Sequence, residues 1–97
     1  MKEVWKYEAE IRVSEFTIDL PRGSEILSFQ AQRGHMFIWC LVEKSELRVE
    51  SRIFRIVGTG NELDYDMSNL KFIGTTQLYE GNLVYHLFEV VANNDRE

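Results

Sequence analysis

The chain has 97 residues, of which 44% are hydrophobic and 12% aromatic, and its formal net charge is −5. This length allows one compact domain, and the hydrophobic content is too high for a disordered segment. The basic residues are scattered singly, which argues against a DNA or RNA surface, and no apolar run approaches the roughly 20 residues that cross a bilayer. We therefore expect one folded domain that binds neither a nucleic-acid polymer nor a membrane.

Seven stretches rich in β-branched and aromatic residues lie between turn signals and predict strands. Their connections are too short for helical crossovers, which favours antiparallel pairing. We predict an all-β domain over residues 1–92, either a small sandwich or a partly open barrel, followed by a frayed polar tail over 93–97. Short helical turns are expected at most within 45–51 or 61–70, the second capped by Asn61. The predicted strands are Val4–Ile11, Phe16–Leu20, Ile26–Gln32, Met36–Glu43, Arg52–Val57, Lys71–Tyr79 and Leu83–Val91.

Two of the predicted hairpins align with each other around their glycine turns. Residues 26–42 and 72–88 match about Gly34 and Gly81, with Gln30 over Gln77 and Trp39 over His86. Any two hairpins with a glycine turn align to this degree, so chance is favoured over duplication.

Two predicted strands are apolar on both faces, whereas a strand with one wet face alternates apolar and polar residues. They are residues 36–42 and 83–91. So short a chain has few elements to cover both faces of a sheet. Either the domain is a tight sandwich or barrel, or a second copy covers the outer face, and we expect a homo-oligomer, most simply a dimer.

Catalytic and metal sites are not indicated, and no cofactor is expected. His35 and His86 are the only histidines, Cys40 is the only cysteine, and their spacing suits no zinc site. Cys40 lies mid-strand, where a thiol is usually inert and has a raised pKa. The segment 1–7 lacks the apolar run of a secretory signal and one cysteine forms no internal disulfide, which together indicate a reducing cytoplasm.

The fifth strand and the segment after it form the candidate binding site. Arg52 and Arg55 are an odd number of positions apart, so a regular strand sends them to opposite faces. An Arg55 side chain that points into a cleft or a subunit interface suits bidentate contacts to an anion, and the Gly-x-Gly turn that follows lets backbone N–H groups approach a ligand. Tyr65, in a long polar loop, suits stacking on a planar base, and His86 is a further lining residue. The alternative is that the glycines only form a turn and Arg55 pairs with an acidic residue. The proposed ligand-binding residues are Arg55, Gly58, Thr59, Gly60, Asn61, Tyr65 and His86.

Several pieces of the chain, in order and spacing, resemble a family of short uncharacterised proteins carried by bacteriophages and prophages. The pieces are Val4–Tyr7, Leu20–Ser28 with Gln30, Phe54–Gly60, Phe72–Thr75 and His86–Glu89. The resemblance spans nearly the whole chain and implies no particular activity. Relatives are expected to carry a histidine after Gly-Thr-Gly, where this chain has Asn61.

A phage setting implies an accessory protein that acts in the cytoplasm of the bacterial host without catalysis. We expect it to bind and sequester a small anionic, nucleotide-like molecule, such as a host-defence signal, at a pocket near a subunit interface. The alternative is a protein–protein interaction module that inhibits a host protein or forms part of the phage, and that uses a surface around Trp39 or Trp5. A small enzyme is the third reading.

Overall fold

The structure, a computed structural model, describes residues 1–10 and 13–91 of the chain. These residues form seven strands and one short 3-10 turn, so the predicted all-β fold is confirmed. The strands are β1 (Lys2–Glu8), β2 (Glu15–Pro21), β3 (Glu25–Gln32), β4 (His35–Glu43), β5 (Val49–Gly58), β6 (Leu70–Leu78) and β7 (Leu83–Val90).

The strands form two antiparallel sheets that pack face to face. Sheet A has the order β1-β4-β3 and sheet B has the order β2-β5-β7-β6. The sheets meet where β3 lies beside β6, and there the Ala31 N–H donates to Thr76 Oγ1 at 2.9 Å. The barrel is not closed, so β1 and β2 each end a sheet.

The core lies between the sheets and is built from alternate residues of each strand. On β4, Met36, Ile38, Cys40 and Val42 have no solvent exposure, while the residues between them are partly covered. Each such side chain contributes roughly 1.5–3 kcal/mol by leaving water. The other buried apolar residues are Ala9, Ile18, Leu20, Phe29, Phe54, Ile56, Leu78 and Leu87.

The outer faces of the central strands are also apolar but are only half covered. On β4 these residues are Phe37, Trp39 and Leu41, whereas on β7 Phe88 and Val90 take the equivalent positions. Sandwich packing therefore accounts for one apolar face of each strand and leaves the other without a sheet against it.

The two aligned hairpins have the same cross-strand register. Gln30 lies opposite Phe37 as Gln77 lies opposite Val84, and the match extends on both sides. Each hairpin also has a bulge in its first strand, at 26–28 in β3 and at 72–74 in β6. The bulges are one residue apart in the alignment, because 26–28 aligns with 73–75 when Gly34 is placed over Gly81.

One helical turn forms, within the second of the two predicted segments. It spans Met67–Asn69, and its N-cap is Asp66, whose side chain accepts from the Ser68 N–H at 3.0 Å, so Asn61 is not the cap. In the other segment, β5 already begins at Val49. The predicted tail over 93–97 lies outside the described residues. Within the part of the chain that the structure describes, no helix is long and apolar enough to cross a membrane.

Candidate functional site

Arg55 projects from the outer face of sheet B and is held by a carboxylate on the neighbouring strand. The register of β2 and β5 places Glu15 directly opposite Arg55, and Nη1 donates to Glu15 Oε1 at 3.0 Å. The Arg55 side chain is 20% exposed, and its Nε is buried with no partner among the described residues. The structure therefore contains the pairing of Arg55 with an acidic residue that the sequence left as an alternative. The Nε–H of Arg55 is a donor that this pairing does not use.

Tyr65 returns from the long loop after β5 and covers Arg55. The Arg55 guanidinium carbon lies 4.9 Å from the centre of the Tyr65 ring, within the range of a cation–π contact. Asp66, the next residue, caps the 3-10 turn and so orders the loop at this point. Two residues that the sequence proposed for one site therefore contact each other.

The Gly-x-Gly segment forms a tight turn. The Asn61 N–H donates to the Gly58 carbonyl at 3.0 Å, and Gly60 has φ +92°, a conformation that favours glycine. A Cβ on Gly58 would lie 2.8 Å from Asn61 Nδ2. The Thr59 N–H donates to the Val84 carbonyl at 3.0 Å, so it is not a free donor for a ligand. Both glycines are explained by the turn itself.

A cleft of about 320 Å³ lies beside Arg55, between the residues that lead into β2 and the end of β5. It brings together three of the proposed residues, Arg55, Gly58 and Asn61, with one acid, Glu62. The charges of these described residues are therefore balanced. The remaining lining residues are Val13, Ser14, Ile56, Val57, Leu63 and Tyr85.

His86 lies on the outer face of β7, next to this region. It is opposite Val57 in the ladder, and its two ring nitrogens lie 2.7 Å from Thr59 Oγ1 and 2.8 Å from Thr75 Oγ1. A hydroxyl donates or accepts, so this threonine pair satisfies either tautomer and the imidazolium. Both ring nitrogens of His86 therefore have hydrogen-bonding partners, one of which is Thr59. His86 lies opposite Val57, which is two residues from Arg55 on β5.

The inner face of the same strands holds a second arginine, Arg52, which is three positions from Arg55 on β5 and so lies on the opposite face. Arg52 donates from Nε and Nη2 to the buried carboxylate of Glu89, and from Nη1 to the Ser24 carbonyl at 2.8 Å. Its hydrogen bonds to Glu89 raise the pKa of Arg52. Arg52 and Arg55 therefore cannot hold one ligand together.

Cys40 lies near this ion pair in the core. Burial raises the pKa of the Cys40 thiol to about 11, so the group is neutral at pH 7 and is not a nucleophile. Within residues 1–10 and 13–91, no three His, Cys, Asp or Glu side chains are grouped so as to hold a metal ion.

The sequence did not identify Glu15, Glu62 or Tyr85 as parts of the site. Glu15 is 40 residues from Arg55 and meets it only through strand pairing. Tyr85 enters the cleft because it lies opposite Gly58, which has no side chain to cover it. Alternation along β2 was the one available signal, since it places Glu15 on the outer face with Arg55.

Comparison with known families adds one finding. The family described as Domain of unknown function (DUF7352) matches residues 1–97. The chain belongs to this family. No curated protein and no solved structure is significantly similar to the chain. Membership of the DUF7352 family accords with the resemblance to uncharacterised proteins and assigns no activity.

Proposed function

We propose that this DUF7352 protein is a non-catalytic bacteriophage accessory protein that binds and sequesters a small anionic, nucleotide-like molecule. The observation that carries the proposal is that Arg55 both contacts the Tyr65 ring and lines a cleft of about 320 Å³. A guanidinium beside a phenol ring offers one charge-assisted donor and one planar surface, which suits an anionic group attached to a flat ring.

The charges around the cleft limit the ligand. Among the described residues that line the cleft, Arg55 is the only cation, whereas Glu62 is an acid and Glu15 already accepts a hydrogen bond from Arg55. A polyanion would meet repulsion from both carboxylates. The ligand that fits has a single acidic group, as in a nucleoside monophosphate or a similar signal molecule, and its apolar part lies against Val57 and Tyr85.

In biological terms, this is a protein that acts in the cytoplasm of the bacterial host, as a homo-oligomer with the cleft near a subunit interface. Sequestration of a host-defence signal needs tight binding and no chemistry, which matches an inert thiol and a histidine satisfied by two threonines. The phage setting and the anti-defence role rest on the sequence resemblance.

The test is direct binding of nucleoside monophosphates to the untagged protein by calorimetry, with native mass spectrometry of protein purified from phage-infected and uninfected cells. Removal of a charge-assisted hydrogen bond costs roughly 1.5–3 kcal/mol, so Arg55→Ala should weaken binding by about 10- to 100-fold. Arg48→Ala is the matched control, because Arg48 pairs with Glu46 in a different connection and is 68% exposed.

Glu15→Gln separates a binding role for Arg55 from a structural one. If Arg55 binds the anion, loss of the competing charge frees Nη1 and should raise affinity. If the Arg55–Glu15 ion pair only stabilises the pairing of β5 with β2, Glu15→Gln should lower the free energy of unfolding and leave binding unchanged. Absence of any nucleotide-sized adduct, together with no calorimetric signal, would reject the sequestration proposal.

A second candidate function is a protein–protein interaction module, either an inhibitor of a host protein or a structural phage component. The observation that favours it is the apolar outer face of sheet A, where Phe37 and Trp39 pack edge to face at 5.9 Å. Lys6 Nζ lies 4.5 Å from the centre of the Phe37 ring and covers only part of the face. Under this proposal, Trp39→Ala should abolish cross-linking to a host or phage protein, whereas Arg55→Ala should leave it intact.

A further inference from the structure

The free edge of β1 is the most unusual surface of the described chain. β1 ends sheet A, and among the described strands it hydrogen-bonds only to β4; six of its seven residues are exposed. Its two faces carry apolar side chains that water reaches, Val4 at 55% exposure on one face and Trp5 at 36% on the other. An exposed edge strand with unpaired main-chain groups is a template for a further strand.

The hydrogen-bond pattern identifies which residues present these groups. Opposite residues in an antiparallel pair alternate between bonded and non-bonded positions. The Ala9 N–H donates to the Met36 carbonyl at 2.8 Å and the Lys44 N–H to the Met1 carbonyl at 3.1 Å, so the odd-numbered residues of β1 bond to β4. The residues whose N–H and C=O point away from the sheet are Lys2, Val4, Lys6 and Glu8.

We propose that β1 pairs antiparallel with β1 of a second copy of this chain and joins two copies of sheet A into one continuous sheet. A two-fold axis through Trp5 pairs the strand over its full length. It places Lys2 opposite Glu8 of the second copy, and Val4 opposite Lys6. These are the residues with free main-chain groups, so the pairing gives about eight inter-chain hydrogen bonds.

Charge selects this register over its neighbours. Centring on Trp5 brings Lys2 to Glu8 twice by symmetry, whereas a shift by one strand position about Val4 would bring Lys2 to Lys6. Opposite charges in direct cross-strand positions stabilise a pair and like charges destabilise it. On the other face the two Trp5 rings meet at a non-bonded position, where cross-strand side chains are closest.

The other free edge of the molecule is built differently. By the same alternation, the residues of β2 that point their main chain outward are Glu15, Thr17, Asp19 and Pro21, because the Ile56 N–H donates to the Ser14 carbonyl. Pro21 has no N–H, and the two acids would oppose a second copy. Proline is a usual protection of an edge strand, and β1 has none. The outward charges of β1 are of both signs, Lys2 and Lys6 with Glu8, so the proposed register places no like charges opposite each other.

The experiment is sedimentation velocity of the untagged full-length protein from micromolar to near-millimolar concentration. A single strand pair is a small interface, so a concentration-dependent dimer is expected. Val4→Pro removes an outward N–H without touching the β1–β4 ladder, and it should raise the dimer dissociation constant by at least about tenfold. Thr17→Pro is the matched control on β2 and should leave it unchanged.

A charge exchange tests the register and does not depend on proline. Lys2→Glu should weaken the dimer, and the Lys2→Glu/Glu8→Lys double variant should restore it. Glu8→Lys alone also removes the contact within one chain between Glu8 and His35 Nδ1 at 2.9 Å. The register is therefore tested by comparing Lys2→Glu with the double variant. A monomer at every concentration would overturn the proposal, as would a dimer unaffected by both Val4→Pro and Lys2→Glu. Circular dichroism confirms that each variant is folded.

Discussion

Replacement of Arg52 by methionine is expected to destabilise the protein by about 3–5 kcal/mol, because it leaves a buried carboxylate without its cation. Glu89 is 6% exposed on the inner face of sheet B and accepts from two nitrogens of Arg52, one of them at 3.1 Å. The whole domain is expected to be stable by only about 5–15 kcal/mol, so this loss is a large share.

The assay is urea unfolding at neutral pH, monitored by circular dichroism. It compares the wild type with Arg52→Met, with Glu89→Leu and with the Arg52→Met/Glu89→Leu double variant. The double variant removes both charges and should lie within about 1–2 kcal/mol of the wild type, since an apolar pair often replaces a buried ion pair without loss. It should not recover fully, because the Ser24 carbonyl loses the donor that Arg52 supplies at 2.8 Å.

Arg55→Met on the same strand is the matched control. Arg55 pairs with Glu15, whose side chain is 43% exposed, so this loss should be about 1 kcal/mol or less. The reasoning is refuted if Arg52→Met costs no more than Arg55→Met. It is also refuted if the double variant is destabilised by the sum of the two single variants, because then no coupling exists between the groups.

Two further predictions concern the thiol and the turn. The pKa of Cys40 is raised from 9.0 to about 11 by burial, so the unfolded chain loses this proton first and stability should fall as pH rises from 9 to 11. The loss is up to about 3 kcal/mol, and Cys40→Ala should lack this part of the pH dependence in urea unfolding; identical profiles would contradict it. Gly60→Ala should cost about 1–2 kcal/mol in the same assay, since φ is +92° and nothing lies within 4 Å of an added Cβ. Gly60→Asn should cost less, and equal stability of all three proteins would show that the turn does not hold this conformation.

Much of the fold could be predicted from local pattern. All seven strands were located because β-branched and aromatic runs alternate with glycine turns. Strand parity also placed Arg52 and Arg55 on opposite faces, because side chains an odd number of positions apart point apart. These inferences require only that successive side chains of a strand point to opposite faces.

The site could be predicted only in part. Arg55 and Tyr65 were both proposed, and they do contact each other, but neither pattern nor spacing indicated that Glu15 holds the arginine. That contact depends on β2 pairing with β5, a choice among several possible strand orders. The helical turn was placed in the correct loop, yet its cap is Asp66 because only that side chain reaches the Ser68 N–H.

The sequence by itself determined that this chain is one antiparallel β domain, which residues of each strand share a face, and where the turns fall. These properties follow from side-chain period and turn chemistry, which act over a few residues. Only the tertiary structure decided which strands lie at the sheet edges, that Arg52 pairs with the buried Glu89 while Arg55 borders a cleft, and that β1 has an open side. Those outcomes depend on the order of strands in the sheets, and the order is set by packing between residues far apart in the chain.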